Sequence, residues 1–106
     1  MDDREFQRRA DRSVARLFQM LGAASESHEF DADLNNGALT VEFEDPPARF
    51  VVSPNAPVRQ IWVSANVKSF KLDWNDAADD FTLGGQALPA LMAEQISRHL
   101  GEDVAL

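Results

Sequence analysis

Apolar residues recur at three- and four-residue spacing over the first twenty positions. Phe6, Ala10, Val14, Leu17, Phe18 and Leu21 form one stripe, with arginines and Asp11 opposite. That period predicts an amphipathic helix over residues 3–21. Asp2 or Asp3 can cap its start, and Gly22 reads as its stop. The period then falls to two: residues 29–34 and 39–44 alternate apolar with polar, which predicts two strands. Asn35-Asn36-Gly37 between them is hairpin chemistry, because Asn and Gly accept positive φ. Pro46-Pro47 breaks the chain before a short strand at Arg49–Ser53. Pro54 and Pro57 bracket a turn into a strand at Arg59–Ser64, and residues 67–74 alternate again. Phe81 and Leu83 mark a last short strand before Gly84-Gly85. Leu88, Leu91, Met92, Ile96 and Leu100 return to helical spacing, with Pro89 in the first turn and Gly101 at the end.

The order is therefore helix, five or six strands, helix. Short connections favour a meandering antiparallel sheet, and both helices must cover one face of it to bury their stripes. The expected fold is an α+β two-layer sandwich forming a single domain over residues 1–106, with the other sheet face left to water. If Asn36 and Gly37 are the central turn residues, Asp33 opposes Thr40, Asp31 opposes Glu42 and Glu29 opposes Glu44. Phe30, Ala32, Leu34, Leu39, Val41 and Phe43 then point to the core. Five carboxylates share the outer face, each about 7 Å from the next along its strand. Like charges placed opposite each other destabilise a sheet by roughly 0.2–1 kcal/mol per pair. Such a cost is kept for solubility, for a basic partner, or for a hard cation held weakly with several waters.

Composition narrows the function classes. The chain has 106 residues, no cysteine and a net charge of −8. A chain of this length buries about 65% of its unfolded surface, enough for one core. The missing cysteines exclude a disulfide framework, a thiolate metal site and thiol catalysis by this chain. The negative charge argues against nucleic acid and against anionic membrane surfaces as partners. No apolar run approaches the ~18 residues of a membrane-spanning helix. Met1-Asp2-Asp3-Arg4-Glu5 is too acidic for a signal or transit peptide, so the expected location is cytoplasmic. The charge is also distributed unevenly. Residues 21–45 hold seven acids and no Lys or Arg, whereas residues 46–72 hold Arg49, Arg59, Lys68, Lys71 and no acid.

The same alternation turns Gln60, Trp62 and Ser64 outward and Ile61 and Val63 inward. An outward Trp in mid-sheet is a candidate contact, because Trp is enriched at binding hot spots; the alternative is a ring covered by a neighbouring side chain. Lys71 lies on the same outer side, while Phe70, Leu72 and Trp74 are read as core. His28 and His99 form no metal-binding pattern with each other, and no nucleophile elbow or phosphate loop is present. His99 reads as a boundary residue. His28 reads as an exposed strand-start residue or as a ligand joining Glu29 and Asp31.

Several motifs together resemble one family. Asn35-Asn36-Gly37-Ala38-Leu39-Thr40, Pro57-x-x-Gln60-Ile61-Trp62 and Asp73-Trp74 look like the frataxin signature. Glu5-Phe6-x-Arg8-x-Ala10-Asp11 and Gly101-Glu102-x-Val104 are similar to the ends of its bacterial, CyaY-type branch. The resemblance covers nearly the whole chain. It implies an iron-binding accessory protein of iron–sulfur cluster assembly that binds the cysteine desulfurase and its scaffold and modulates cluster formation. A weak iron carrier or store is the alternative, and a ferroxidase a distant third, since ferroxidase sites use inward carboxylates with His in a closed cage. Carried over, the family's acidic ridge for Fe2+ or Fe3+ falls on Glu26, Glu29, Asp31 and Asp33, with Asp3 at its N-terminal part. The partner-binding patch falls on Gln60, Trp62 and Lys71, flanked by Glu42 and Glu44. The implied state is a monomer, with iron-dependent oligomers as the family alternative. The chain departs from the family where the first helix ends: Phe18-Gln19-Met20-Leu21-Gly22-Ala23-Ala24-Ser25 carries no acid, and Arg8, Arg9, Arg12 and Arg16 stand on the helix. Ser53 stands where relatives often have Asn, and Asp79 near a later family Trp.

Overall fold

A computed structural model describes residues 1–106. The first helix, α1, spans Asp3–Ala24. Asp2 is its cap: the Asp2 carboxylate accepts from the Glu5 amide at 2.7 Å. The helix does not stop at Gly22. Ser25 closes it instead, its amide donating to the Leu21 carbonyl and its hydroxyl to the Gly22 carbonyl. Gly22 keeps helical geometry there, at a cost of about 1 kcal/mol relative to Ala.

Seven strands follow as one antiparallel meander in chain order. They are β1 (Asp31–Asn35), β2 (Ala38–Glu44), β3 (Pro47–Asn55), β4 (Gln60–Ala65), β5 (Lys68–Asn75), β6 (Asp80–Leu83) and β7 (Gln86–Ala87). The second helix, α2, spans Leu88–Leu100. The expected five or six strands become seven because the chain folds back at Gly84-Gly85 and Gln86-Ala87 pairs with β6. Two residues carry no readable alternation, so β7 is invisible to periodicity.

The first hairpin has the expected register. Asn36 and Gly37, at φ 53° and 80°, form the turn, and Asp31 opposes Glu42 while Asp33 opposes Thr40. Glu29 precedes β1, so its pairing with Glu44 is not made. β3 extends through Pro54, which the proline had been expected to end. Pro54 lies past the end of β2, where its missing N–H breaks no ladder bond. Arg59, expected to open a strand, instead takes a left-handed conformation (φ 51°) after the 3₁₀ turn Ala56–Val58.

Both helices pack on one face of the sheet. Phe6, Leu17 and Leu21 of α1 and Leu88, Met92 and Ile96 of α2 are buried against Leu39, Phe50, Ile61, Leu72 and Phe81. Phe6 and Trp74 both meet Phe81 edge-on, with ring centroids at 5.8 and 5.3 Å. Phe70 and Trp74 are half-buried, packed at the margin of this core. Leu34 was expected inside but is 37% exposed, because it lies near the end of the edge strand. His99 is a boundary residue, as expected. It stacks on Phe43 at 4.3 Å and bonds the Pro46 carbonyl at 2.8 Å.

Candidate functional site

The face of the sheet away from the helices holds most of the side chains picked out in the sequence. Strand alternation alone puts them there, since residues two apart share a face. At one edge, Asp31 and Asp33 of β1 and Glu42 and Glu44 of β2 are all exposed. Of these, only Glu42 has a cation in reach: Arg49 of β3, its cross-strand neighbour, at 3.9 Å. Arg49 thus offsets part of the Asp31–Glu42 repulsion.

Glu29, Asp31, Glu42 and Glu44 line one shallow, open depression together with His28. Asp33 lines the adjoining one beside Arg49. Glu26 is exposed on the turn after α1 and lines neither. Asp3 is held apart. Its carboxylate accepts from Arg59 at 2.9 Å, near the far end of a 22-residue helix. Paired there with Arg59, Asp3 joins no cluster of acids or His with the hairpin. His28 is turned toward the C-terminal segment, with Nδ1 3.0 Å from the Glu102 carboxylate. That link between the first loop and the tail lay outside the reach of sequence spacing.

No three His, Cys, Asp or Glu side chains converge closely enough to hold a metal ion. The donors along the hairpin are exposed carboxylates, with one imidazole already engaged. Such a set fits a hard cation that keeps several waters, and it does not fit a tight, resident site.

Further along the same face the character changes. Trp62 is 38% exposed, large and flat on the open sheet. Its indole Nε1 donates to Gln60 Oε1 at 3.0 Å, and Gln60 Nε2 donates to Asp73 Oδ1 at 3.0 Å. Lys71, directly across from Trp62 on β5, stands over the ring at 4.9 Å from its centroid. These contacts hold the indole in one orientation before any partner arrives. Asp73 is the member that sequence reasoning missed. Its position opposite Gln60 in the register would have found it, given the strand pairing.

The outer face therefore runs from an acidic edge, past Arg49, to an ordered Gln60–Trp62–Lys71 patch. It is a surface for contact, with a half-open hollow beside Trp62 and Lys71 that Val51, Ser53 and Phe70 also line.

Comparison with known proteins agrees with this fold and these motifs. A family model described as a frataxin-like domain matches residues 1–102. A protein of Pseudomonas aeruginosa named iron-sulfur cluster assembly protein CyaY is 35% identical over 95 residues, covering 86% of this chain and 87% of that one. The protein of that name from Dechloromonas aromatica is 28% identical over 106 residues, covering 100% and 99%. That of Tolumonas auensis is 30% identical over 78 residues, covering 74% of each. Among solved structures, a frataxin from Psychromonas ingrahamii superposes with a TM-score of 0.75 over 99% of this chain and 97% of its own, at 22% identity. With the signature motifs on the expected strands and the family model spanning nearly the whole chain, this protein belongs to the frataxin family, in its bacterial CyaY branch.

Proposed function

We propose that this chain is an accessory protein of iron–sulfur cluster assembly that docks on the cysteine desulfurase and scaffold and modulates cluster formation in the bacterial cytoplasm. Relatives that align over most of their length are named for cluster assembly. The observation that carries the docking reading is the outer sheet face. It combines a pre-ordered, exposed Trp62 with a neighbouring field of carboxylates, four of them on two adjacent strands. An aromatic anchor beside a charged rim is the anatomy of a protein–protein contact. The acids steer and orient a basic partner surface, while Trp62, Gln60 and Lys71 supply the specific contact.

The reading is tested by adding the chain to purified desulfurase and scaffold and following cluster formation. A changed rate at stoichiometric amounts is expected, lost with Trp62→Ala. An unchanged rate with no co-elution contradicts it.

The depression lined by Glu29, Asp31, Glu42 and Glu44 favours a second reading, a weak iron carrier. Ferrous titration followed by NMR is expected to broaden amides of residues 28–33 and 42–44. It should leave the Asp3–Arg59 pair untouched. Broadening centred on Asp3 contradicts this placement.

A further inference from the structure

The first helix carries a feature that the outer face does not use. Arg4, Arg8, Arg12 and Arg16 follow one another at four-residue intervals. On a helix each step rises about 6 Å and turns about 40°, so Arg4, Arg8 and Arg12 stay within one sector. Arg9 joins them from the next row. None of the helix cations is Lys. Guanidinium groups favour planar, two-pronged contacts with carboxylates.

These arginines are arranged beside Trp74. Arg9 lies over the Trp74 ring at 4.4 Å and also pairs with Glu5. Arg12 donates to the Asp79 carboxylate at 2.7 Å, and Arg16 donates to the Asp79 carbonyl at 3.0 Å. The indole of Trp74 is fixed in turn by donating to Asp76 at 2.6 Å. Arg12 and Arg16 are thus held by the β5–β6 loop, and Arg9 by Trp74 of β5 and by Glu5. Arg4 and Arg8 are exposed and have no carboxylate within salt-bridge distance. Arg8 lines a half-open hollow with Arg9, Arg12, Trp74, Asp76 and Asp79.

We propose that this side of α1 is a second docking surface, one that binds an acidic, extended segment of a partner protein. The spacing supports an extended peptide. Carboxylates on alternate residues of an extended chain recur at about 6.6–6.8 Å, close to the 6 Å rise between successive arginines. Ordering long side chains costs free energy on binding, and three of the five are already ordered. Nucleic acid fits less well, because a long polyanion meets the net charge of −8 of the whole chain, whereas a short acidic segment meets only the local arginines. The proposal does not depend on the outer sheet face or on iron.

The test uses the whole chain and a capped peptide of alternating Glu and Ser, with amide and indole shifts followed by NMR at about 0.05 M salt. Saturable shifts are expected over residues 4–16 and at the Trp74 indole N–H, fading at about 0.5 M salt as screening tightens. Arg4→Gln with Arg8→Gln removes the two unpaired cations and keeps helix-forming side chains. It should weaken binding about tenfold and leave the melting temperature unchanged. Absent shifts, shifts confined to other surfaces, or undiminished binding by the double variant overturn the proposal. Equally tight binding of oligothymidylate assigns the face to nucleic acid and overturns it. So does an arginine-dependent rise in mass by light scattering at low salt, which assigns it to a second copy.

Discussion

Val67 stands fully exposed at the tip of the β4–β5 turn with φ of 63°, a left-handed conformation that a β-branched residue adopts only under strain. Its neighbour Asn66 fixes the turn by donating from its amide to both the carbonyl and the side-chain oxygen of Gln95, at 3.0 and 2.9 Å. Val67→Gly should therefore stabilise the protein by about 1 kcal/mol, read as a rise of several degrees in melting temperature. No rise, or a fall, contradicts the strain assigned here. The two tryptophans separate by the same kind of argument. Trp62 lies open on the sheet, whereas Trp74 packs edge-on to Phe81 beneath Arg9. Trp62→Ala should cost about 1 kcal/mol and Trp74→Ala about 3 kcal/mol, measured by urea denaturation. Strand alternation alone made the outward turn of Trp62 legible. It could not show that Asp73 and Gln60 fix the indole, because that depends on which strands are neighbours. The arginine that engages Asp3 was equally hidden, since Arg59 and Asp3 are brought together by a left-handed residue after a 3₁₀ turn.

Among the elements, the β1–β2 hairpin was the most legible and is the most costly. Asn36-Gly37 specify the turn, the turn specifies the register, and the register sets Asp31 against Glu42. A strand pair selected for stability alone would not keep this juxtaposition. Asp31→Thr should stabilise the fold by about 0.5 kcal/mol at low salt, with the gain shrinking as ionic strength rises. The same change should weaken both ferrous broadening of the hairpin and binding to a basic partner. A stability loss instead would mean that Asp31 makes a favourable contact absent from the pairing described. The boundaries of elements were less legible. Gly22 lies inside α1 because Leu21 still packs in the core and Ser25 supplies the closing bonds. β7 was missed because a two-residue strand is defined by its partner, not by its own sequence.

Across the whole molecule, the charge of −8 is organised into separate surfaces. The acids of residues 26–44 lie at the β1–β2 edge and on the turn leading to it, and the arginines of α1 lie toward the β5–β6 loop. Between them the open face carries Arg49, Trp62 and Lys71. Family members resembling this chain were expected to extend the acidic ridge along the first helix. Here the end of that helix, residues 18–25, carries no acid, and guanidinium groups stand on the helix instead. The two-layer fold itself follows from period: two helical stripes need one common face, and seven short strands joined by tight turns supply it. Charge placement on the finished surface follows from pairing and twist, which no linear spacing contains.

The proposed docking surface for the cluster-assembly machinery is the outer sheet face. The most direct measurement is an NMR footprint of the isotope-labelled chain with unlabelled desulfurase and scaffold. Cross-peaks of Asp31, Glu42, Gln60, Trp62 and Lys71 should broaden together, and those of α2 (Leu88–Leu100) should persist up to the general broadening of a larger complex. Retention of the Trp62 and Lys71 signals while others vanish would contradict docking through this face.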